Sequence, residues 1–499
     1  MSSNSNPSSP SPHQQHQPAQ QQRGNNNEYD KAVKSTADDA ILAKLSCVEK
    51  GYYDDPFISA MSRGASGLVN KATASSMRSC STSISGSRQG QGPRSCRHPS
   101  SMMGNSASSG TEPIIRRGTH ARVKAVDRAI DAFLSIPLSA TCKNDGTTTA
   151  NRNIVRQVVV LGAGRDTTYL RHRFGKGSTI HNGDGVRWYE VDHPSVIVQK
   201  AHSWLSSCIP EGCSYECDVN VDTGNSYAVT MTSQKGGTIG SSSDEQANPK
   251  SRTTTTSNYH LIGHDLRSSP ATLFETLTHP RHQYDRSMPT LFVLECVMMY
   301  LPEEASWDLL RHLADSPISP PPSSSGMPQD DDDSSSTSPF VAVVVYDPIP
   351  SNDRFGQRMI DNLQRAGITG RKDPGSSSDG DKRPQLSLER TRTLSDQLTK
   401  LTQSGFDVAV GCDMMNAYDH GILSMDDRRR AARCEMLDEL EEFVLLMKHY
   451  CLLVGVSSKG RKGDENEKSC NKCVGFQLCS VGKDSLVGFQ EGRCVVVHR

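Results

Sequence analysis

The chain has 499 residues, a formal net charge of −1 and only 34% apolar residues. Near-neutral charge supplies no field for nucleic acid or an anionic membrane, and no run approaches the roughly 20 apolar residues of a spanning helix. Long Ser-, Thr-, Pro-, Gly- and Asp-rich stretches argue for one folded domain carrying inserts, in place of the two or three domains that the length alone would allow.

Residues 1–29 are rich in Ser, Gln, Asn and Pro. They are expected to be a disordered tail, because they cannot bury enough surface to offset their ordering entropy. A helical lid is expected over 30–140. Its first helix starts near Ala37-Asp38-Asp39 and carries Ile41, Leu42, Leu45 and Val48 at helical spacing, before the aromatic turn Gly51–Phe57. A Ser/Gly-rich disordered insert is expected at 72–112. A second helix, Gly118–Leu134, places Val123, Val126, Ile130 and Phe133 on one side.

From about residue 150 to 499 strands and helices alternate. The expected strands are Val158–Leu161, Trp188–Val191, His260 onward, Pro289–Val297, Phe340–Tyr346 and Phe406–Val410, with Tyr450–Val456 and Phe476–Ser480 as antiparallel closing strands. Helices are expected from Asp166, Pro194 and Pro302, then over Arg354–Arg365, Thr393–Gln403 and Glu435–His449. Low-complexity inserts near 222–257, 316–338 and 370–386 interrupt them. The pattern is that of a doubly wound α/β sheet.

Fifteen cysteines are scattered, several inside apolar runs such as Glu295-Cys296-Val297 and Tyr450-Cys451-Leu452. That suits buried thiols of a reducing compartment, and the N-terminus lacks a signal-peptide core, so the cytoplasm is expected, with the nucleus also open. Cys470-Asn471-Lys472-Cys473 lacks a second pair at zinc-site spacing, and no metal is expected.

The stretch most informative about chemistry is Val158-Val159-Val160-Leu161-Gly162-Ala163-Gly164. A β-branched strand breaking at a G-x-G turn before a helix leaves backbone N–H groups facing a ligand. Thr167 stands where a third glycine would complete the dinucleotide fingerprint, so the turn reads as a nucleoside-cofactor loop more than a pyrophosphate cradle. One βαβ unit later comes Glu190-Val191-Asp192. Asp192 suits either the two hydroxyls of a ribose or the N-cap of the helix at Pro194. Glu295 closes an apolar strand, where an unpaired carboxylate would be costly, and so reads as a binding group. Tyr300 is either an orienting hydroxyl or a core aromatic. By residue type alone, Lys44 and Arg122 are solvated helix residues.

In order along the chain, Gly51-Tyr52, Ala121-Arg122-Val123, Leu161-Gly162-Ala163-Gly164, Asp166-Thr167-Thr168, Glu190-Val191-Asp192, Asp265-Leu266-Arg267, Glu295-Cys296-Val297, Asp353-Arg354-Phe355-Gly356-Gln357 and Met447-Lys448-His449-Tyr450-Cys451 resemble the leucine carboxyl methyltransferase family. The resemblance spans residues 36–456. It implies a class I S-adenosylmethionine-dependent methyltransferase sheet, Rossmann-like, with an N-terminal helical lid. It also implies methylation of the C-terminal leucine carboxylate of type 2A protein phosphatase catalytic subunits, met through their C-terminal tail and active-site face, by a monomer.

Carried over residue by residue, the resemblance makes Gly162 and Gly164 cofactor-binding, Gly162 at the methionine portion and Gly164 in the turn, and gives Asp192 to the ribose. It gives Asp265 and Leu266 to the adenine, and Glu295, Lys44 and Arg122 to the charged groups. Arg122 and Tyr300 become the residues that meet the incoming carboxylate. Rival readings are another carboxyl methyltransferase of the superfamily, of the kind acting on a modified tRNA base, an NAD-dependent oxidoreductase, and a catalytically silent phosphatase-binding scaffold. The tRNA type carries kelch repeats after the cofactor motifs, and this chain has no internal repeat. Thr167 counts against the oxidoreductase, and the retained Gly162, Asp192 and Glu295 count against the scaffold.

Overall fold

The computed structural model describes residues 18–63, 65, 111–136, 156–181, 185–207, 213–222, 226–235, 258–317, 340–365, 385–420, 422–457, 486–490 and 493–497. Nine strands form one sheet: β1 (Arg156–Leu161), β2 (Val186–Asp192), β3 (Cys213–Asp222), β4 (Ser226–Lys235), β5 (Tyr259–Gly263), β6 (Thr290–Glu295), β7 (Val341–Pro348), β8 (Val408–Asp413) and β9 (Tyr450–Ser457). Their spatial order is β3-β4-β5-β2-β1-β6-β7-β9-β8. Strands β5, β2, β1, β6 and β7 are parallel, and β9 runs antiparallel between β7 and β8. The order reverses between β1 and β6, which opens a crevice at the carboxyl ends of those two strands.

Period-two alternation divides the core. Val158, Val160, Trp188 and Val344 face one layer, where they meet the lid and α5 (Pro194–Ser207). Val159, Leu161, Tyr189 and Val343 face the other, against α6 (Pro270–Thr278), α7 (Glu303–Ala314) and α10 (Leu394–Gln403). On the first layer the lid consists of α1 (Pro18–Glu49), α2 (Ile58–Met61) and α3 (Pro113–Leu134). Proline opens α3, and Ala121, Val126, Ala129, Ile130 and Phe133 form its buried stripe.

Several boundaries differ from those expected. Helix α1 takes in residues 18–29 of the expected tail, where Pro18 suits a first helical turn and Ala19 and Gln20–Gln22 are good helix formers, while residues 1–17 lie outside the described residues. Strand β4 lies inside the expected insert 222–257. It covers the edge of β5 with the register Ala228↔Ile262, and its Tyr, Val and Thr content outweighs the polar flanks. Strand β8 starts two residues late: Gly405 turns with φ +104°, Phe406 drops into the core, and the ladder to β9 begins at Val408.

The helix expected over 435–449 starts five residues late, at Leu440, and an unexpected helix precedes it. Helix α12 (Met425–Cys434) ends at Glu435, whose backbone is extended, and α13 (Leu440–Lys448) follows. The carboxylate of Glu435 is held by Arg116 Nε at 2.7 Å and by the Tyr52 hydroxyl at 2.7 Å, so a tertiary ion pair fixes the break. Through these contacts α12 and α13 become part of the lid. The expected strand Phe476–Ser480 and the Cys470–Cys473 pair lie outside the described residues, as does most of the expected inserts 72–112, 316–338 and 370–386. A separate two-stranded sheet pairs β10 (Leu486–Gln490) with β11 (Arg493–Val497).

His120 on α3 is fully buried against Tyr52 and Tyr53, and burial pushes its pKa down to about 4. The unfolded chain protonates this ring near 6.5, so between about pH 6.5 and 4 unfolding takes up a proton and stability falls with pH, by up to ~3 kcal/mol from this group. Thermal melts at pH 7 and pH 5 should therefore show a smaller acid loss in His120→Phe than in the parent; an equal loss in both would remove His120 as the cause.

Candidate active site

Strand β1 runs into a turn through Gly162 and Gly164, with φ +69° and +49°, conformations that side-chain-bearing residues rarely adopt. A Cβ on Gly162 would also lie 2.5 Å from Val297 Cγ2. The turn is fastened to β2 by Gly162 N–H and Ala163 N–H, which donate to the Val191 carbonyl at 2.8 and 3.1 Å. Asp192, at the end of β2, accepts the Gly164 N–H at 2.6 Å and the His193 N–H at 2.6 Å. Burial nonetheless pushes its pKa upward. The first amide of α5 is met by another side chain: Ser195 N–H donates to His193 Nδ1 at 3.3 Å. Asp192 thus clamps the glycine turn and leaves the capping contact to His193.

These groups line a cavity of about 460 Å³ at the carboxyl ends of β1, β2 and β6. All nine residues picked from the sequence border it: Lys44, Arg122, Gly162, Gly164, Asp192, Asp265, Leu266, Glu295 and Tyr300. Asp265 follows β5 and is itself held by Arg267, whose terminal nitrogen lies 2.6 Å from Oδ2 and whose backbone N–H donates to Oδ1 at 3.0 Å.

Lys44 and Arg122 are not solvated helix residues. Lys44 is 4% exposed, 2.7 Å from Asp166 Oδ1 and 3.0 Å from Glu295 Oε1. Arg122 Nε bonds the same Glu295 oxygen, with its guanidinium 5.5 Å from the centroid of the Tyr346 ring. Burial would raise the pKa of Glu295 and lower that of Lys44. The opposite charges win: Arg122 and Lys44 hold Glu295 below the usual carboxylate range, and Asp166 and Glu295 hold Lys44 above its ordinary value.

Directly after Glu295 the chain turns sharply, with Cys296 at φ +56°. A residue other than glycine in that region is strained, and such positions cluster at functional sites. The turn leads into the short 3₁₀ segment Met298–Tyr300, which places Tyr300 on the cavity wall just past Glu295. Further along the sheet order the lining is apolar, with Tyr346 on β7, Tyr450 on β9, and Phe355, Met359 and Met447. Burial pushes the Tyr300 hydroxyl well above its usual range, so it stays a proton donor.

Four participants were not picked out. Asp166 was read as the start of a helix, and its pairing with Lys44 joins residues 122 positions apart. Beneath the glycine turn, Lys200 and Glu190, each 1% exposed, pair at 2.8 Å, and Lys200 also reaches the Ala163 carbonyl at 3.5 Å. A signal for Lys200 existed: it falls among Ile197, Ala201 and Trp204 on the buried stripe of α5, where a lysine needs a partner. The wall residue Tyr346 gave no such signal, since any apolar strand end looks alike.

Carboxylates at Asp192 and Asp265 suit hydroxyl and amino donors, Glu295 suits an ammonium, and Lys44 with Arg122 suits a carboxylate. That donor set matches the groups of S-adenosylmethionine. The sheet order, the glycine turn and this donor set define a class I S-adenosylmethionine-dependent methyltransferase. A leucine carboxyl methyltransferase family model matches residues 32–314. Proteins named leucine carboxyl methyltransferase 1 from Yarrowia lipolytica and Bos taurus are each 26% identical, over 85% of this chain and 96% and 89% of their own lengths. A homolog of that name from Arabidopsis thaliana is 24% identical over 85% of this chain and 89% of its own. The chain belongs to the leucine carboxyl methyltransferase family.

Among the described residues no cluster of three or more His, Cys, Asp or Glu could hold a metal. Removing one member of a buried ion cluster leaves its partners uncompensated. Glu295→Ala, which would leave Arg122 without its carboxylate while Lys44 keeps Asp166, should therefore cost about 3–5 kcal/mol in urea unfolding. A cost below about 1 kcal/mol would show that solvent already screens the cluster.

Proposed function

We propose that this protein esterifies the C-terminal leucine α-carboxylate of type 2A protein phosphatase catalytic subunits. The observation that carries the reading is the order of the cavity lining along the sheet: Asp265, Asp192, the glycine turn and Glu295 at the ends of β5, β2, β1 and β6, then Tyr346 on β7 and Tyr450 on β9, with Phe355, Met359 and Met447 also in the lining. Glu295 with Arg122 thus separates a charged half from an apolar half. Such an apolar half accommodates a leucine side chain, while Arg122 and Tyr300 stand at the boundary where its carboxylate would lie.

A peptide C-terminal carboxyl has a reference pKa near 3.3–3.7, so it arrives ionised and needs no general base. When bound, S-adenosylmethionine supplies a methyl carbon already activated by its sulfonium. The work left to the protein is to align, dry and hold the reactants. Gly162 would let the backbone approach the cofactor's methionine end with Gly164 shaping the turn, Asp192 would hold the ribose hydroxyls, and Asp265 with Leu266 would hold the base. Arg122 offers a planar two-point contact to a carboxylate, and Tyr300 donates its hydroxyl proton as a hydrogen bond. Glu295, kept ionised by the two cations, suits the cofactor's ammonium. One carboxylate provides little binding energy, so the body of the phosphatase supplies most of the recognition surface.

The test incubates purified protein and methyl-labelled cofactor with the phosphatase catalytic subunit, either intact or lacking its terminal leucine. Label should enter only the intact subunit, as an alkali-labile ester. Asp192→Ala and Arg122→Ala should each lower kcat/KM by roughly a hundredfold, the equivalent of about 2.7 kcal/mol. Label on the shortened subunit would remove the claim to the terminal leucine.

A further inference from the structure

The Asp353-Arg354-Phe355-Gly356-Gln357 segment opens α8 (Arg354–Arg365) and takes no part in the charged half of the cavity. Gln357 bonds Asp361 along the helix surface at 3.0 Å. Asp353 reaches much further. One oxygen accepts the Gly356 N–H at 2.7 Å, and both oxygens face His449 Nε2, at 3.1 and 3.0 Å. His449 is 3% exposed and lies at the junction of α13 and β9, with Nδ1 2.8 Å from the Leu445 carbonyl and its ring centroid 4.6 Å from that of Phe355.

This contact joins two walls of the apolar half. Phe355 and Met359 border it from α8, and Met447 and Tyr450 border it from either side of His449. The turn before α8 has no slack. Ile349 N–H donates to the His449 carbonyl at 2.9 Å, Arg392 Nε holds the Pro350 carbonyl at 3.1 Å, and a Cβ on Gly356 would lie 2.2 Å from the Ser351 carbonyl oxygen. With the turn's backbone tied to His449 and Arg392, the Asp353–His449 contact is the side-chain link between the two walls.

We infer that Asp353 and His449 are positioning residues that fix the width of the acceptor half of the cavity, and through it the fit of the C-terminal side chain. The inference rests on the assignment of the apolar half to the acceptor. Neither residue borders the cavity, so both act through Phe355, Met447 and Tyr450.

The experiment compares Asp353→Ala, Asp353→Asn and His449→Phe in the full chain. It measures cofactor Kd by calorimetry, and KM and kcat for the intact phosphatase subunit and for subunits whose last residue is Ala or Phe. Asp353→Ala and His449→Phe should raise acceptor KM about tenfold and narrow the preference for Leu over Phe, with cofactor Kd within about twofold of the parent. Asp353→Asn keeps an oxygen for both donors and should stay within about threefold of the parent. A general loosening would raise cofactor Kd and acceptor KM together, and that result would overturn the inference. So would unchanged acceptor kinetics in folded Asp353→Ala, or an Asp353→Asn as impaired as the alanine variant. If Asp353→Ala does not fold, the asparagine and His449→Phe comparison decides by the same criteria. Should the parent methylate some other C-terminal carboxylate and not the leucine, the functional assignment fails, while the split between KM and Kd on that acceptor still tests the latch.

Discussion

Two cations from the lid, Lys44 and Arg122, meet two carboxylates from the sheet edge, Asp166 and Glu295, in a cluster largely withdrawn from water. Each charge taken singly would be costly to bury; together they are neutral, and each carboxylate has a cation beside it. The lid and the sheet are therefore mutually required. Without α1 and α3 the sheet edge would present uncompensated anions, and without Glu295 the lid would bury Arg122 with no carboxylate beside it. The same groups border the reaction cavity, so the interaction that closes the fold also sets the charge of the site.

The lid is more than its N-terminal helices. Arg116 and Tyr52 converge on Glu435, Arg430 donates to the Gly51 carbonyl at 2.8 Å, and Lys124 pairs with Asp427 at 3.1 Å. Segments more than 300 residues apart thus form one cover over the carboxyl ends of the strands. Stretches outside the described residues separate consecutive elements such as α7 and β7, yet β7 keeps an unbroken register with β6. The cost of closing a longer loop grows only slowly with its length, so inserts need not disturb the sheet.

How far the site was legible depended on the reach of each residue's signal. Gly162, Gly164, Asp192 and Glu295 stand at strand ends, where local pattern and sheet topology together point to a ligand crevice. Lys44 and Arg122 carried no such local sign, because a basic residue on a helix is ordinarily solvated; the family resemblance alone moved them to the site. Asp166 and Lys200 escaped because their roles are pairings across the fold. Strand β4 escaped for a compositional reason: Ser and Thr dominate its neighbourhood, while its strand character depends on the free edge of β5.

The sequence by itself determined the alternation of strands and helices, the glycine turn at residues 162–164, and the kinds of groups available to hold a charged nucleoside cofactor. Those features follow from near-neighbour sterics and side-chain period, which act over a few residues. Tertiary structure decided which charges would be paired, where the helix expected over 435–449 would begin, and how Phe355 and Met447 would be set across one cavity. These outcomes depend on desolvation and on partners distant in the chain, and no window of the sequence contains both members of such a pair.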